Sequence, residues 1–153
     1  SELTTPNGAQ WALINVHMSA FDKCGNVRKQ QLVYVLDYVE SLYANGKHVV
    51  IGGDFNMQLA DTDFPTTTAE EFLFWRTKFP QERLAEGWQI VVDSSVPTMR
   101  SNERPYVKGE NFTSVIDGFL VSPNVDVLAV RGIDTNFEFT DHQPVFAVFA
   151  AKP

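Results

Sequence analysis

The chain has 153 residues, a formal net charge of −7, 44% apolar and 20% charged residues. That length suits one domain with a core of its own, residues 1–153, and the composition is that of an ordinary soluble globular protein rather than a disordered one. The acidic balance argues against a broad nucleic-acid-binding surface, and no apolar run approaches the roughly 20 residues of a membrane helix. No signal-peptide pattern opens the sequence. Cys24 is the single cysteine, so no internal disulfide forms, and a small loop or helix-edge residue is its ordinary reading.

Residues 11–18, WALINVHM, read as a buried strand. Asn26 is the expected N-cap of the next element, in which Leu32, Val35, Leu36, Val39, Leu42 and Tyr43 recur at helical spacing. Asn45-Gly46 closes that helix, glycine suiting the left-handed C′ position. Residues 48–53, HVVIGG, follow as a second apolar strand. Strand, helix, strand is a βαβ unit, which makes the two strands parallel and the crossover right-handed. Parallel strands end on the same sheet edge, so His17 and Asp54 are expected on one rim, where α/β sheets bind ligands.

Residues 57–68 read as a loop. Residues 69–86 read as helical, with a break at Pro80, and Trp88 to Val92 as a strand. Residues 94–112, broken by Pro97, Pro105 and Gly109, are too long for a plain connector and read as a functional or mobile loop. Ser114–Val121, Val125–Ile133 and Val145–Phe149 then suggest a meander, with Ser122-Pro123-Asn124 as the first turn. There is no internal repeat, low-complexity tract or linker.

Four polar clusters end apolar runs: Asn15-Val16-His17, Gly53-Asp54-Phe55-Asn56, Ile116-Asp117-Gly118 and Thr140-Asp141-His142. Imidazoles, carboxylates and an amide converging on one rim are what phosphate-ester hydrolysis requires. Asp54 can orient or deprotonate a water, or bind a metal, and the Asn56 amide can donate to a phosphoryl oxygen. Gly, Asp and Asn are also common turn residues, so a plain turn competes with that reading. His17 is either a satisfied core histidine or a catalytic one. Asp117, on an apolar strand, needs a partner to be buried; it either holds a loop or orients a histidine and fixes its tautomer. Asp141-His142 can straddle a reacting atom if the pair sits in a turn. His48 reads as structural. Asn111-Phe112-Thr113 matches a glycosylation acceptor but nothing indicates secretion. Arg100, Arg104 and Lys108 either meet a phosphate or belong to a solvated loop.

Taken in order, INVHMSAF (14–21), IGGDFNM (51–57), TSVIDGFLVS (113–122) and TDHQPV (140–145) resemble the endonuclease/exonuclease/phosphatase superfamily, over essentially the whole chain. The resemblance implies an α/β protein of DNase I-like fold: two β-sheets packed face to face with helices outside. It implies a phosphoesterase using Mg²⁺, sometimes Mn²⁺ or Ca²⁺, on hard oxygen ligands. His17 then contacts the scissile phosphate, Asp54 positions or activates the attacking water, and Asn56 binds a phosphoryl oxygen. Asp117 pairs with the catalytic histidine, Asp141 binds metal, and His142 is the base usually described, coupled to Asp54. Asp54 and Asn56 lie beside that metal, and Arg100 is a candidate substrate contact.

Family domains run to about 250 residues, and their first half supplies an asparagine and a metal-binding glutamate. Glu2 sits in no matching context. The expectation is therefore a C-terminal half, weak or inactive alone, whose bare apolar sheet surface pairs with the missing half or with a second copy in a homodimer. Two competing readings are a non-catalytic interaction module that keeps the fold and a nucleic-acid-binding module. The second lacks a basic stripe.

Overall fold

Apolar β-branched runs that stop at polar residues set the main sheet of the computed structural model, which describes residues 1–152. In chain order the strands are β1 (Glu2–Thr4), β2 (Gln10–His17), β3 (His48–Asp54), β4 (Gln89–Val91), β5 (Met99–Arg100), β6 (Thr113–Ser114), β7 (Asp117–Val121), β8 (Val125–Gly132) and β9 (Val145–Ala151). The helix α1 spans Asn26–Ala44, between β2 and β3. Five strands form one sheet in the order β1-β2-β3-β7-β4; β5-β6 and β8-β9 form separate two-stranded ribbons.

The expected βαβ unit is present. β2 and β3 run parallel, in a register that places His17 opposite Asp54. β7 runs antiparallel to β3 and places Asp117 opposite Asp54 on the other side. One transverse row therefore carries His17, Asp54 and Asp117 on adjacent strands. Gly53 permits this close pairing. Its φ is +140°, and a Cβ there would lie 2.0 Å from the Val16 carbonyl oxygen.

The α1 stripe packs as its spacing predicts. Leu32, Leu36 and Val39 are buried with Val49, Ile51, Phe55 and Leu120, and Val35, Leu42 and Tyr43 pack against them. The opposite face of the sheet packs Trp11, Val50, Val91 and Val121 against Val125, Val127, Val130 and Phe149 of the β8-β9 ribbon. The main sheet is thus covered by the helix on one face and by a ribbon on the other.

Four local expectations are corrected. Asn26 is the first helical residue rather than the cap. Gly25 holds the cap position in a left-handed conformation, and Asp22 Oδ2 accepts from the Val27 and Arg28 N–H groups. Residues 69–86 are not a helix. They hold two short 3₁₀ turns, Glu70–Leu73 and Gln81–Arg83, because Phe72, Leu73, Phe74 and Trp75 are consecutive and cannot share one helical face. The 94–112 segment is not wholly irregular, since β5 lies within it and pairs with β6. The meander fails because β7 is drawn into the main sheet between β3 and β4, leaving β8 to pair with β9. The end of α1 follows expectation: Gly46 at φ +80° donates to the Tyr43 carbonyl, and Lys47 N–H to that of Leu42.

Candidate active site

The C-terminal ends of β2 and β3, the start of β7 and residues 99–104 and 141–142 line one cavity of about 1150 Å³. Each expected site residue lines it: His17, Asp54, Asn56, Arg100, Asp117, Asp141 and His142. Lys108 is not among the lining residues, while Arg104 is.

At the centre, His142 Nδ1 lies 2.9 Å from Asp117 Oδ2. With Nδ1–H donating to that carboxylate, Nε2 is left facing Asp54 Oδ2 at 4.0 Å. His17 Nε2 approaches the same oxygen at 3.6 Å, with 76% of its side chain exposed. Asp54 therefore stands between two imidazoles, one exposed at the rim and one hydrogen-bonded to Asp117.

The backbone holds His142 in place. Met99 bridges His142, Arg100 N–H donates to the Asp141 carbonyl at 3.0 Å, and Gln143 N–H donates to the Thr98 carbonyl at 2.7 Å. The Thr98 hydroxyl accepts from the N–H groups of both Ile116 and Asp117, at 3.0 Å each. Thr98 thereby fixes the two halves of the His142–Asp117 pair to each other.

Asn56 reaches Asp54 by a turn. Extended geometry ends at Asp54, and Asn56 takes φ +49°. Its backbone N–H donates to Asp54 Oδ1, and its Nδ2 donates to Asp54 Oδ2 at 2.8 Å and to the Met18 carbonyl at 2.9 Å. Both amide hydrogens are thus engaged within the protein, and Oδ1 is the side-chain atom left over. This differs from the sequence-based picture of an amide donating directly to a phosphoryl oxygen.

Charge is distributed unevenly over the cluster. Burial, reinforced by Asp117, raises the Asp54 pKa above the usual carboxylate range, against the opposing Asn56 N–H, His142 and His17. The hydrogen bond to Asp117 raises the His142 pKa above that of a free imidazole, against the effect of burial. Asp141 is held low, chiefly by the Asn102 side chain, whose Nδ2 donates to Asp141 Oδ2 at 2.6 Å.

These donors suit a hard divalent cation. Asp54, Asp117 and His142 each offer a ligand atom, all within 4.8 Å of one another. A cation would offset the burial, and the Asp117 charge, that raise Asp54. The His142–Asp117 bond occupies only Nδ1 and one carboxylate oxygen, and the spare Asn56 Oδ1 stands beside Asp54.

Two residues escaped the sequence reading. Arg28 is fully buried, and its guanidinium donates to the carbonyls of Asn56 (2.6 Å), Trp75 (2.6 Å) and Asp22 (2.7 Å). Its signal was present: Arg28 lies four residues before Leu32, on the apolar stripe of α1. Asn102 had no such signal, because its contact with Asp141 spans two loops. Other readings hold. His48 stacks on Trp11 with ring centroids 5.1 Å apart, and Cys24 is exposed beside the helix start. Asn111 is fully buried, its Nδ2 donating to the Ser101 carbonyl, so it offers no glycan acceptor. Glu2 pairs with Lys47.

No protein-family model matches the sequence, and no curated protein does. Solved structures do. TDP2 of D. rerio, complexed with a single-strand DNA product, superposes with a TM-score of 0.66 at 17% identity, over 98% of this chain and 60% of that one. Truncated TDP2 of Caenorhabditis elegans gives 0.63 at 18% identity, over 98% and 58%. An endonuclease/exonuclease/phosphatase family protein of Bacteroides thetaiotaomicron gives 0.57 at 18% identity, over 94% and 51%. The chain thus spans between half and 60% of the length of these proteins. In fold, this chain is an α/β protein that shares the DNase I-like architecture of these structures.

Proposed function

We propose that this chain carries the hydrolytic residues of a metal-dependent phosphoesterase, acting on a phosphodiester or phosphomonoester, and that it corresponds to the C-terminal half of such a domain. The observation that supports this most is the Asp117–His142–Asp54 line, with a 2.9 Å bond at one end and a 4.0 Å gap at the other. One water, donating to both ends, bridges a gap of that size. A further support is the cavity that surrounds this line with His17, Asn56 and Asp141.

In the proposed reaction, a water held between Asp54 and His142 Nε2 attacks phosphorus in line with the leaving oxygen. The water gives its proton to the coupled Asp54–His142 pair as the new P–O bond forms and the ester P–O bond breaks. Asp117 keeps the imidazole tautomer that leaves Nε2 free to accept. His17, at the opposite side of Asp54, faces the phosphoryl group and stabilises the charge that develops on it or on the departing oxygen. Asp54, Asn56 Oδ1 and Asp141 are the groups that would hold Mg²⁺, or Mn²⁺ or Ca²⁺; the ion would supply neutralisation of phosphate charge.

A bare half leaves apolar sheet surface, and Leu128, Phe146 and Val148 of the β8-β9 ribbon are exposed. The missing half, or a second copy of the chain, is the partner proposed for that surface. The second reading, a non-catalytic module, gains no support from a cluster this complete.

The test is hydrolysis of bis-p-nitrophenyl phosphate and p-nitrophenyl phosphate with Mg²⁺, by the chain alone and joined to the half proposed to precede it. The expected outcome is weak turnover alone and restored turnover when joined. An inactive joined protein would contradict the proposal.

A further inference from the structure

The cavity that holds the catalytic cluster is also lined by phenylalanines. Phe21, Phe72 and Phe74 line the same cavity while remaining 67%, 49% and 52% exposed. Their exposure is not a by-product of loose chain. In the segment around the Glu70–Leu73 turn, side chains divide strictly: Leu73 and Trp75 are buried with Met99, Phe112 and Ile116, and Phe72 and Phe74 face outward. The segment is pinned, since Trp75 Nε1 donates to the Phe72 carbonyl and Arg28 donates to the Trp75 carbonyl. Phe21 is held at φ +54°, a left-handed conformation that a bulky side chain rarely adopts, four residues after His17. Strain of this kind gathers at ligand clamps, and here its ring gains no burial in return.

We propose that this wall is a ring-binding subsite, so that the substrate is a small phosphate ester carrying a planar ring. The inference rests on the phosphoesterase reading and adds the substrate class to it. The phosphate sits at Asp54 and His142, and the ring lies against Phe21, Phe72 and Phe74. Rigid aromatic faces bind planar rings by stacking, with little ordering cost because the wall is already fixed. The volume, about 1150 Å³, accommodates a ligand of drug-like size. Net charge −7 and the lack of a basic stripe favour a small ligand over a polynucleotide.

The experiment measures binding rather than turnover, by calorimetry on the full chain with Mg²⁺, using benzylphosphonate and propylphosphonate. The expected result is roughly tenfold tighter binding of benzylphosphonate, the order of one aromatic stacking contact. Phe72→Ser and Phe74→Ser, both at exposed positions and checked for an unchanged Tm, should abolish that preference and leave propylphosphonate affinity alone. Equal affinities, or a preference that survives both substitutions, overturn the subsite and leave the phosphoesterase reading standing. Substitutions that change the sedimentation coefficient but not the affinity ratio assign the wall to a second copy of the chain, and also overturn it. Binding of neither phosphonate also overturns the subsite, and leaves the phosphoesterase reading to the turnover of the joined protein.

Discussion

At the residue scale, the pairing of His142 with Asp117 makes two separable predictions. Because that hydrogen bond raises the folded-state pKa of His142, the stability it contributes is fully present below the unfolded imidazole value near 6.5. It is lost as pH rises through the higher folded value. Urea unfolding should therefore show wild type ahead of Asp117→Asn by a wider margin at pH 6 than at pH 9; an equal margin would refute the linkage. In turnover, Asp117→Asn removes the group that holds Nε2 toward Asp54, and the rate should fall by about 100-fold or more. The ascending limb of its pH–rate profile should shift to lower pH, since the imidazole loses the partner that raised its pKa. Asn56 marks the limit of reading residues by spacing. Its proximity to Asp54 was legible from the pair GGDFN, but the left-handed turn that engages both its amide hydrogens was not.

At the element scale, the part of the fold that places the site was the part the sequence expressed most clearly. Apolar runs ending at His17 and Asp54, separated by a helix, suffice to put both on one edge, and the register sets them directly opposite. Segments whose partners are distant were less legible. β7 carries the pattern of a meander strand but pairs with β3 and β4, and the adjacent apolar residues at 72–75 alternate in burial, a pattern that helical spacing does not express. Two substitutions test the elements. Arg28→Met leaves the carbonyls of Asn56, Trp75 and Asp22 without their buried donor. It should cost about 3–5 kcal/mol in urea unfolding, and Arg28→Lys should recover little because an ammonium cannot reproduce the planar fork. Gly53→Ala drives a methyl group into the Val16 carbonyl. A loss of at least about 2 kcal/mol is expected, whereas a neutral effect would show that the β2-β3 pairing relaxes freely.

At the scale of the whole molecule, three strands, β2, β3 and β7, and two loops far apart in sequence supply one cavity, and the sheet between α1 and the β8-β9 ribbon holds them in register. The fold class and the gathering of His17, Asp54, Asn56, Asp117, Asp141 and His142 could be anticipated from four short motifs. Of the supports that make the gathering rigid, Arg28 showed itself only by its place on the α1 stripe, and Thr98 and Asn102 not at all, because their long-range hydrogen bonds leave no local periodicity. The ribbon's outer face, with Leu128 65% exposed, predicts association. Sedimentation should show self-association that Leu128→Ser with Phe146→Ser weakens, or a monomer once the proposed first half is joined. The central claim is that His142, Asp117 and Asp54 hydrolyse a phosphate ester as one unit. A double-mutant cycle on bis-p-nitrophenyl phosphate turnover by the joined protein tests it most directly. The account predicts that His142→Gln combined with Asp117→Asn is about as slow as His142→Gln alone; losses that multiply, or single variants as active as wild type, would contradict it.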